Sequence, residues 1–97
     1  MADVLFHPEA QEEYDEALAW YQSRSPNAAL RFETEVERAL TLIEANPGMF
    51  PKYDDEHRFA VLLRFPYSVV YQIQAGCVYV VAVAHGSRLP GYWERRA

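Results

Sequence analysis

The sequence predicts an α+β protein in which a short N-terminal strand precedes an antiparallel helical hairpin and a three-stranded antiparallel meander, with both helices packed on one face of the sheet. Two observations predict this β-α-α-β-β-β order. Apolar residues recur at helical spacing in the first half of the chain, and β-branched or alternating runs fill the second half. The length of 97 residues suits one modest core, so we assign residues 1–97 to a single domain.

The first half of the chain predicts a strand and two amphipathic helices. The segment "DVLF", residues 3–6, is a short strand that ends before a His-Pro pair. Pro8 suits the first turn of a helix, where its missing N–H costs nothing, and this helix is expected to span residues 8 to about 22. A second helix is expected over residues 26–45, where "NPG" ends it. The short connection makes the pair an antiparallel hairpin.

The second half changes to the period of β-strands. Residues 58–65, "RFAVLLRF", read as a half-buried strand whose apolar face comprises Phe59, Val61, Leu63 and Phe65. Two β-branched runs follow, "SVVYQI" at residues 68–73 and "CVYVVAVAH" at residues 77–85. The tripeptide Gln-Ala-Gly between them predicts a tight hairpin turn.

Charge is distributed unevenly along the chain. The net charge is −5, yet residues 1–57 carry a balance of −9 and residues 58–97 a balance of +4. We therefore expect an electrically polarised molecule whose basic part lies in its second half. The arginines at positions 95 and 96 are assigned to a mobile tail.

Several classes of protein are not expected. No stretch reaches the roughly 20 apolar residues of a membrane span, and the N-terminus lacks the features of a signal peptide. A lone cysteine, Cys77, fits a reducing compartment, so a cytoplasmic location is expected. The histidines at 7, 57 and 85 have no paired ligand spacing, and no glycine-rich phosphate loop is present, so we expect no metal or cofactor.

Four segments, taken in order, carry a resemblance that spans essentially the whole chain. They are "FHPEAQEEYDEALAWY", "AALRFETEVERALTLIEANPGMFP", the pattern R-x5-R-F-P-Y-x-V-V-Y-Q-I and the terminal pattern V-x-A-V-A-H-G-S-R-x-P-G-Y-W. The chain resembles the RelE/ParE superfamily, the toxins of bacterial type II toxin–antitoxin modules. The resemblance implies a small growth-inhibiting toxin held inactive by a co-expressed antitoxin, and hence a hetero-oligomer with that protein.

The resemblance leaves the target of the toxin open. RelE-like toxins cut mRNA on the ribosome, whereas ParE-like toxins are understood to poison DNA gyrase through contact. Members that are RNases carry lysines where this chain has Ala60 and Leu62, and an arginine where Ser68 stands. The missing cations and the acidic net charge do not suit an enzyme that binds RNA, so they favour the hypothesis that the target is gyrase. A ribosome-dependent mRNA endoribonuclease is the alternative, and a degenerate member that only binds its antitoxin is the third.

The candidate site residues follow the last strand and occupy the predicted strand 58–65. Under the RNase alternative, His85 is the base, Arg64 or Arg88 holds the phosphate, and Tyr92 or Trp93 stacks on a base. Under the contact reading, the effector surface comprises Arg58, Arg64, His85, Arg88, Tyr92 and Trp93. Both readings require the separate arginines to meet on one patch facing water.

Structural interpretations of the same residues stay open. His85 can cap a strand end, the arginines of strand 58–65 can keep a sheet face soluble, and Trp93 can lie back on the sheet as core. The two long β-branched runs have high β-propensity and low charge, so an uncovered edge would favour aggregation. An antitoxin segment over that edge, or in the groove beside the helical hairpin, would remove this risk.

Overall fold

The computed structural model describes residues 3–96. Its elements are β1 (Asp3–Phe6), α1 (Pro8–Arg24), α2 (Pro26–Ala45), a single 3₁₀ turn (Pro47–Met49), β2 (Arg58–Val61), β3 (Tyr67–Gln74) and β4 (Cys77–His85). The predicted α+β class and the order of elements are confirmed. Within the described residues, no helix is long and apolar enough to cross a membrane.

The four strands form one sheet in the order β1-β4-β3-β2. Strands β2, β3 and β4 make the predicted antiparallel meander, while β1 pairs in parallel with the first half of β4, which makes the sheet mixed. The two long β-branched runs are therefore the central strands, each paired on both sides over at least part of its length. These segments therefore lie at the centre of the sheet, except that β4 has no strand on its β1 side beyond Val80.

Both helices begin as the sequence predicts. The His7 imidazole accepts the Glu9 N–H at 3.1 Å ahead of α1, and the Ser25 hydroxyl accepts the Ala28 N–H at 3.3 Å ahead of α2. A proline follows each cap at the first helical position, where no backbone donor is required. Helix α1 continues to Arg24, two residues beyond the predicted end.

The face of the sheet that the helices cover holds the larger core. Phe32 of α2 is its centre, with a side chain fully removed from solvent. Its ring contacts the aromatic rings of Tyr14, Tyr21, Phe65 and Tyr67, at centroid distances of 5.1–5.8 Å. Helices and sheet are therefore joined by a continuous aromatic contact, as the amphipathic spacing predicts.

The predicted strand 58–65 is wrong in both its length and its apolar face. Strand β2 ends at Val61, and Val61 and Leu63 are 62% and 60% exposed, whereas Ala60 and Leu62 are buried in the helix-side core. The chain turns here because Arg64 adopts a left-handed backbone, with φ of 68°. On α2, the Glu35 carboxylate accepts the Leu63 N–H at 3.0 Å and holds the turn against the helix.

A β-bulge in β4 changes which side chains face the helices. Val70 of β3 pairs with Ala82 and the next residue, Tyr71, pairs with Val80, so Val81 is an extra residue in β4. Val80 packs in the helix-side core, but Val81 and Ala82 both pack in the core on the opposite face.

The bulge sets the orientation of the strand end. After two consecutive residues on the far face, Val83 returns to the helix side, and so does His85, whose ring meets that of Tyr67 at 5.0 Å. Unbroken alternation from Val80 would place His85 on the far face instead. An irregularity of one residue therefore brings the histidine towards α1.

The far face of the sheet is covered by irregular chain. The C-terminal segment, defined as residues 86–96, forms turns across it and buries the indole of Trp93 against Val70, Val81 and Ala82. The rings of Tyr53 and His57 complete this smaller core at 4.9 and 4.6 Å from the Trp93 ring.

Candidate functional site

A groove of about 490 Å³ lies between α1, the end of β4 and the C-terminal segment. We call it the α1 groove. Its lining side chains include Glu13, Glu16, Trp20, Tyr67, His85, Arg88 and Tyr92. Three of the predicted site residues, His85, Arg88 and Tyr92, are therefore brought together, although α1 contributes as much of the wall as they do.

Glu13 is the centre of the polar contacts in the α1 groove. One carboxylate oxygen accepts the Val83 N–H at 3.0 Å, and the other accepts the Tyr92 hydroxyl at 2.7 Å. The Arg96 guanidinium donates to both oxygens, at 2.9 and 3.1 Å, and forms a second ion pair with Glu9 at 3.0 Å. Helix α1, strand β4 and the C-terminal segment thus meet on one carboxylate.

This arrangement satisfies an open part of the β4 edge. The pairing of β1 with β4 ends at Val80, because the chain then leaves the sheet to begin α1. Beyond that point Glu13 takes the Val83 N–H, and Arg96 donates to the Val81 carbonyl at 3.1 Å. Side chains therefore replace the missing strand, which is what buried backbone groups at a sheet edge require.

Arg88 and Tyr92 form a stacked pair at the mouth of the α1 groove. The Arg88 guanidinium carbon lies 3.8 Å from the centre of the Tyr92 ring, and its nearest nitrogen is 3.9 Å from the Glu13 carboxylate. Burial raises the pKa of Tyr92 far above its ordinary value, and the hydrogen bond it donates to Glu13 raises it further. The phenol therefore keeps its proton throughout the physiological range.

The hydrogen bonds of His85 fix its tautomer. Its Nδ1 accepts the Ser87 backbone N–H at 3.0 Å and lies 2.7 Å from the Ser87 hydroxyl. A backbone N–H can only donate, so Nδ1 carries no proton here and the neutral ring holds its proton on Nε2. In this arrangement the free nitrogen of His85 is a hydrogen-bond donor, whereas a general base needs a free lone pair.

The other predicted site residues lie elsewhere. Arg58 donates to the carbonyls of Gly48 and Phe50, at 3.2 and 2.6 Å, and borders a separate pocket lined by residues 52, 54–58 and 72–74. Arg64 stands in the turn after β2, beside Glu35, whose pKa is lowered mainly by a hydrogen bond from Arg38 and slightly by the charge of Arg64.

Trp93 contributes to the core rather than to an exposed surface, with only 3% of it accessible to solvent. The interpretation of Trp93 as core therefore holds, and its proposed place on the effector surface does not. Arg58 binds the loop after α2, and Arg64 lies in the turn after β2 beside Glu35. Of the three arginines, only Arg88 is among the described residues that line the α1 groove, so the single arginine patch expected from the sequence stays a prediction.

Sequence reasoning missed Glu13 and misplaced Arg96. Glu13 lies three residues after Ala10 and four before Ala17, and both alanines are buried against the sheet. A carboxylate on the buried stripe of a helix needs a partner, and that position was the available signal. Arg96, which was assigned to a mobile tail, is the partner, and its side chain is only 12% exposed.

Comparison with known proteins identifies the family to which this chain belongs. A family model described as the ParE toxin of the type II toxin–antitoxin system, parDE, matches residues 4–90. Since the match covers most of the chain, the protein belongs to the ParE toxin family and is the toxin component of a type II toxin–antitoxin module. This confirms the resemblance seen in the sequence.

A solved structure is similar to the chain over nearly its whole length. It is described as the chromosomal ParDE TA system from P. aeruginosa, with a TM-score of 0.73 and 18% sequence identity. The similarity covers 88% of this chain and 96% of that chain. At this identity the likeness shows a shared fold. No curated protein matches the sequence.

Proposed function

We propose that this toxin acts by binding and poisoning DNA gyrase in the cytoplasm, without bond-breaking chemistry of its own, and that a cognate antitoxin protein holds it inactive. Family membership and the ParDE description of the similar structure support the antitoxin partner. One observation carries the mode of action: the Glu13 carboxylate pairs with Arg96 and lies 3.9 Å from Arg88, so it would compete with a substrate phosphate for these two cations.

The charges of the α1 groove favour a protein over a nucleic acid. Glu9 and Glu13 pair with Arg96, and Arg88 lies near Glu13, so the cations of the groove already face carboxylates. A phosphate would have to enter against these acids. Cleavage by a 2′-hydroxyl also needs positive charge at the developing phosphorane, and removing a single such donor costs an enzyme about 3–4 kcal/mol.

The acid–base groups support the same conclusion. His85 presents a donor nitrogen, and Tyr92 gives its hydroxyl hydrogen to Glu13. Neither group is arranged to accept a proton from an RNA hydroxyl. Contact with a protein requires no such group, so the geometry is compatible with poisoning by binding.

The antitoxin has two candidate docking surfaces on this toxin. One is the exposed apolar pair Val61 and Leu63 at the end of β2, and the other is a groove of about 260 Å³ on the helical hairpin, bordered by Leu18 and Leu30. Covering either surface would remove exposed apolar area from water. The resulting assembly is a hetero-oligomer of toxin and antitoxin.

Purified gyrase with plasmid DNA provides the test. Added toxin is expected to block supercoiling or to trap cleaved DNA, and added antitoxin is expected to restore activity. Programmed ribosomes treated in parallel are expected to leave their mRNA intact. If the wild-type toxin cuts the mRNA and the His85→Ala variant does not, the RNase alternative replaces the proposal. Inactivity in both assays, with antitoxin binding retained, would identify a degenerate toxin.

A further inference from the structure

We infer that Glu13 and Arg96 prevent the toxin from pairing with a second copy of itself through an open edge of β4. The open edge is defined as residues 81–85. Among the described residues these have β3 on one side and no strand on the other, because the pairing with β1 ends at Val80. This protection is independent of the target of the toxin, since it concerns two copies of the same chain.

Four backbone groups of the open edge point away from β3. The Val83 N–H is one, since Glu13 accepts it at 3.0 Å. The Val81 carbonyl is another, since Arg96 donates to it at 3.1 Å. Backbone groups alternate in direction along an antiparallel strand, so the Val83 carbonyl and the His85 N–H point the same way. The open edge therefore presents two donors and two acceptors.

This set of donors and acceptors is complementary to itself. In a second copy related by a two-fold axis through Val83, the two Val83 residues would exchange a pair of hydrogen bonds, and each His85 N–H would face a Val81 carbonyl. The run from Val81 to Ala84 is apolar and carries no charge that would keep two such edges apart. A second copy of the chain is therefore the partner that the open edge fits.

Space for a short strand lies beside the open edge. The α1 groove, of about 490 Å³, is lined in part by Val83 and His85, so it opens onto this edge. The side chains of Glu13 and Arg96 obstruct the approach, because each binds an edge group that a strand would need. Charged side chains placed at a sheet edge are a general protection against pairing.

Paired charges hold the two obstructing side chains in place. Arg96 binds both Glu13 and Glu9, and its side chain is only 12% exposed. The Tyr92 hydroxyl also donates to Glu13. An incoming strand would have to break these contacts and leave a largely buried carboxylate without its partners, which is strongly unfavourable. The open edge is therefore closed as long as this network is intact.

Sedimentation of the whole chain tests the role of the two side chains. The variant Glu13→Ala/Arg96→Ala removes both without changing the net charge, and the Trp93 indole still holds the C-terminal segment on the far face. As the concentration is raised, the wild type should stay monomeric, whereas the apparent mass of the variant should rise towards twice that of the monomer. Glu12→Ala/Arg95→Ala, which changes the same residue types at exposed positions, should stay monomeric.

Hydrogen exchange identifies the surface that pairs. In the Glu13→Ala/Arg96→Ala variant, the Val83 and His85 amides should exchange more slowly at higher concentration, because each donates to the second copy. The Ala84 amide points towards β3 and should be protected at every concentration. The variant Glu13→Gln/Arg96→Gln keeps the length of both side chains. It should dimerise more weakly and gives the same readout if the alanine variant does not fold.

Several results would overturn the inference. If the folded variants stay monomeric, the open edge does not self-associate, and tighter antitoxin binding by those monomers would assign the edge to the antitoxin instead. Dimers in which the exchange of the Val83 and His85 amides does not depend on concentration would place the contact elsewhere. Dimerisation of the Glu12→Ala/Arg95→Ala control would attribute the effect to surface charge. Wild-type dimers with protected Val83 and His85 amides would show that the two side chains are no barrier.

Discussion

The two faces of the sheet are covered in different ways. On one face, two regular helices bury an aromatic cluster centred on Phe32. On the other, the irregular C-terminal segment lays a single large side chain, Trp93, on the strands. The helices cover the first face with apolar side chains that recur at helical spacing. The second face is covered mainly by the Trp93 indole and the residues around it.

Polar contacts compensate for the smaller core. The C-terminal segment is tied back to α1 through Tyr92 and Arg96, which both bind Glu13. The segment that presents Arg88 is therefore anchored to α1 by two side chains. The comparison suggests two levels of stability, with the helix face unfolding only globally and the far face able to open locally.

The largest expected effect is on the helix face. Phe32→Ala removes a fully buried ring that contacts four others, and we expect the free energy of unfolding to fall by about 3–5 kcal/mol. Urea denaturation followed by circular dichroism measures this. For a domain of this size such a loss is a large part of the total stability.

Leu30→Ala is the matched control for Phe32→Ala, because Leu30 lies on the same helix with 61% of its surface exposed. Its loss should change the free energy of unfolding by no more than about 0.5 kcal/mol. Similar losses for the two variants would contradict the assignment of the main core to this face.

A smaller effect is expected on the far face. Trp93→Ala should lower the free energy of unfolding by about 2–4 kcal/mol, less than the full cost of a buried aromatic residue because the C-terminal segment can detach locally. Hydrogen exchange should show the amides of residues 86–96 losing protection while α2 and β3 keep theirs. Equal loss of protection in α2 would show that the two faces form one cooperative unit.

The difference between the faces also explains what the sequence could predict. The helices, their proline-led starts and the strands β3 and β4 follow from local periodicity and capping, which act over a few residues. The C-terminal segment, which covers the far face, has no periodic pattern of apolar residues. Trp93 belongs to the core because of where the turns of residues 86–96 place it, and a spacing pattern does not contain that information.

The candidate site shows the same limit. His85 reaches the α1 groove only because Val81 is bulged, and the run "VYVVAVAH" does not mark which valine is the extra one. The early end of β2 depends on Glu35 of α2, 28 positions before Leu63 in the chain. These contacts are tertiary, so the sequence could name candidate residues but not the groove in which three of them lie.

The smallest of these effects concerns the contact that joins the two faces. Tyr92→Phe removes the hydroxyl that donates to Glu13 at 2.7 Å and keeps the ring under Arg88. At neutral pH we expect the free energy of unfolding to fall by about 1–2 kcal/mol. Tyr53→Phe is the control, since Tyr53 likewise packs on the far face through its ring, and it should have little effect.

The pH dependence distinguishes this hydrogen bond from simple packing. Because burial and the Glu13 contact raise the pKa of Tyr92, the folded protein binds the phenolic proton more tightly than the unfolded chain does. The stabilisation is therefore complete below the ordinary tyrosine pKa of about 10 and declines as the pH rises above it. Urea denaturation at pH 7 and above pH 10 measures the free energy of unfolding of the wild type and both variants. The difference between the wild type and Tyr92→Phe should be smaller above pH 10, whereas the difference between the wild type and Tyr53→Phe should be the same at both pH values. A difference from Tyr92→Phe that does not shrink would mean that the Tyr92 hydroxyl does not tie the C-terminal segment to α1, and that Arg96 alone provides the polar contact with Glu13.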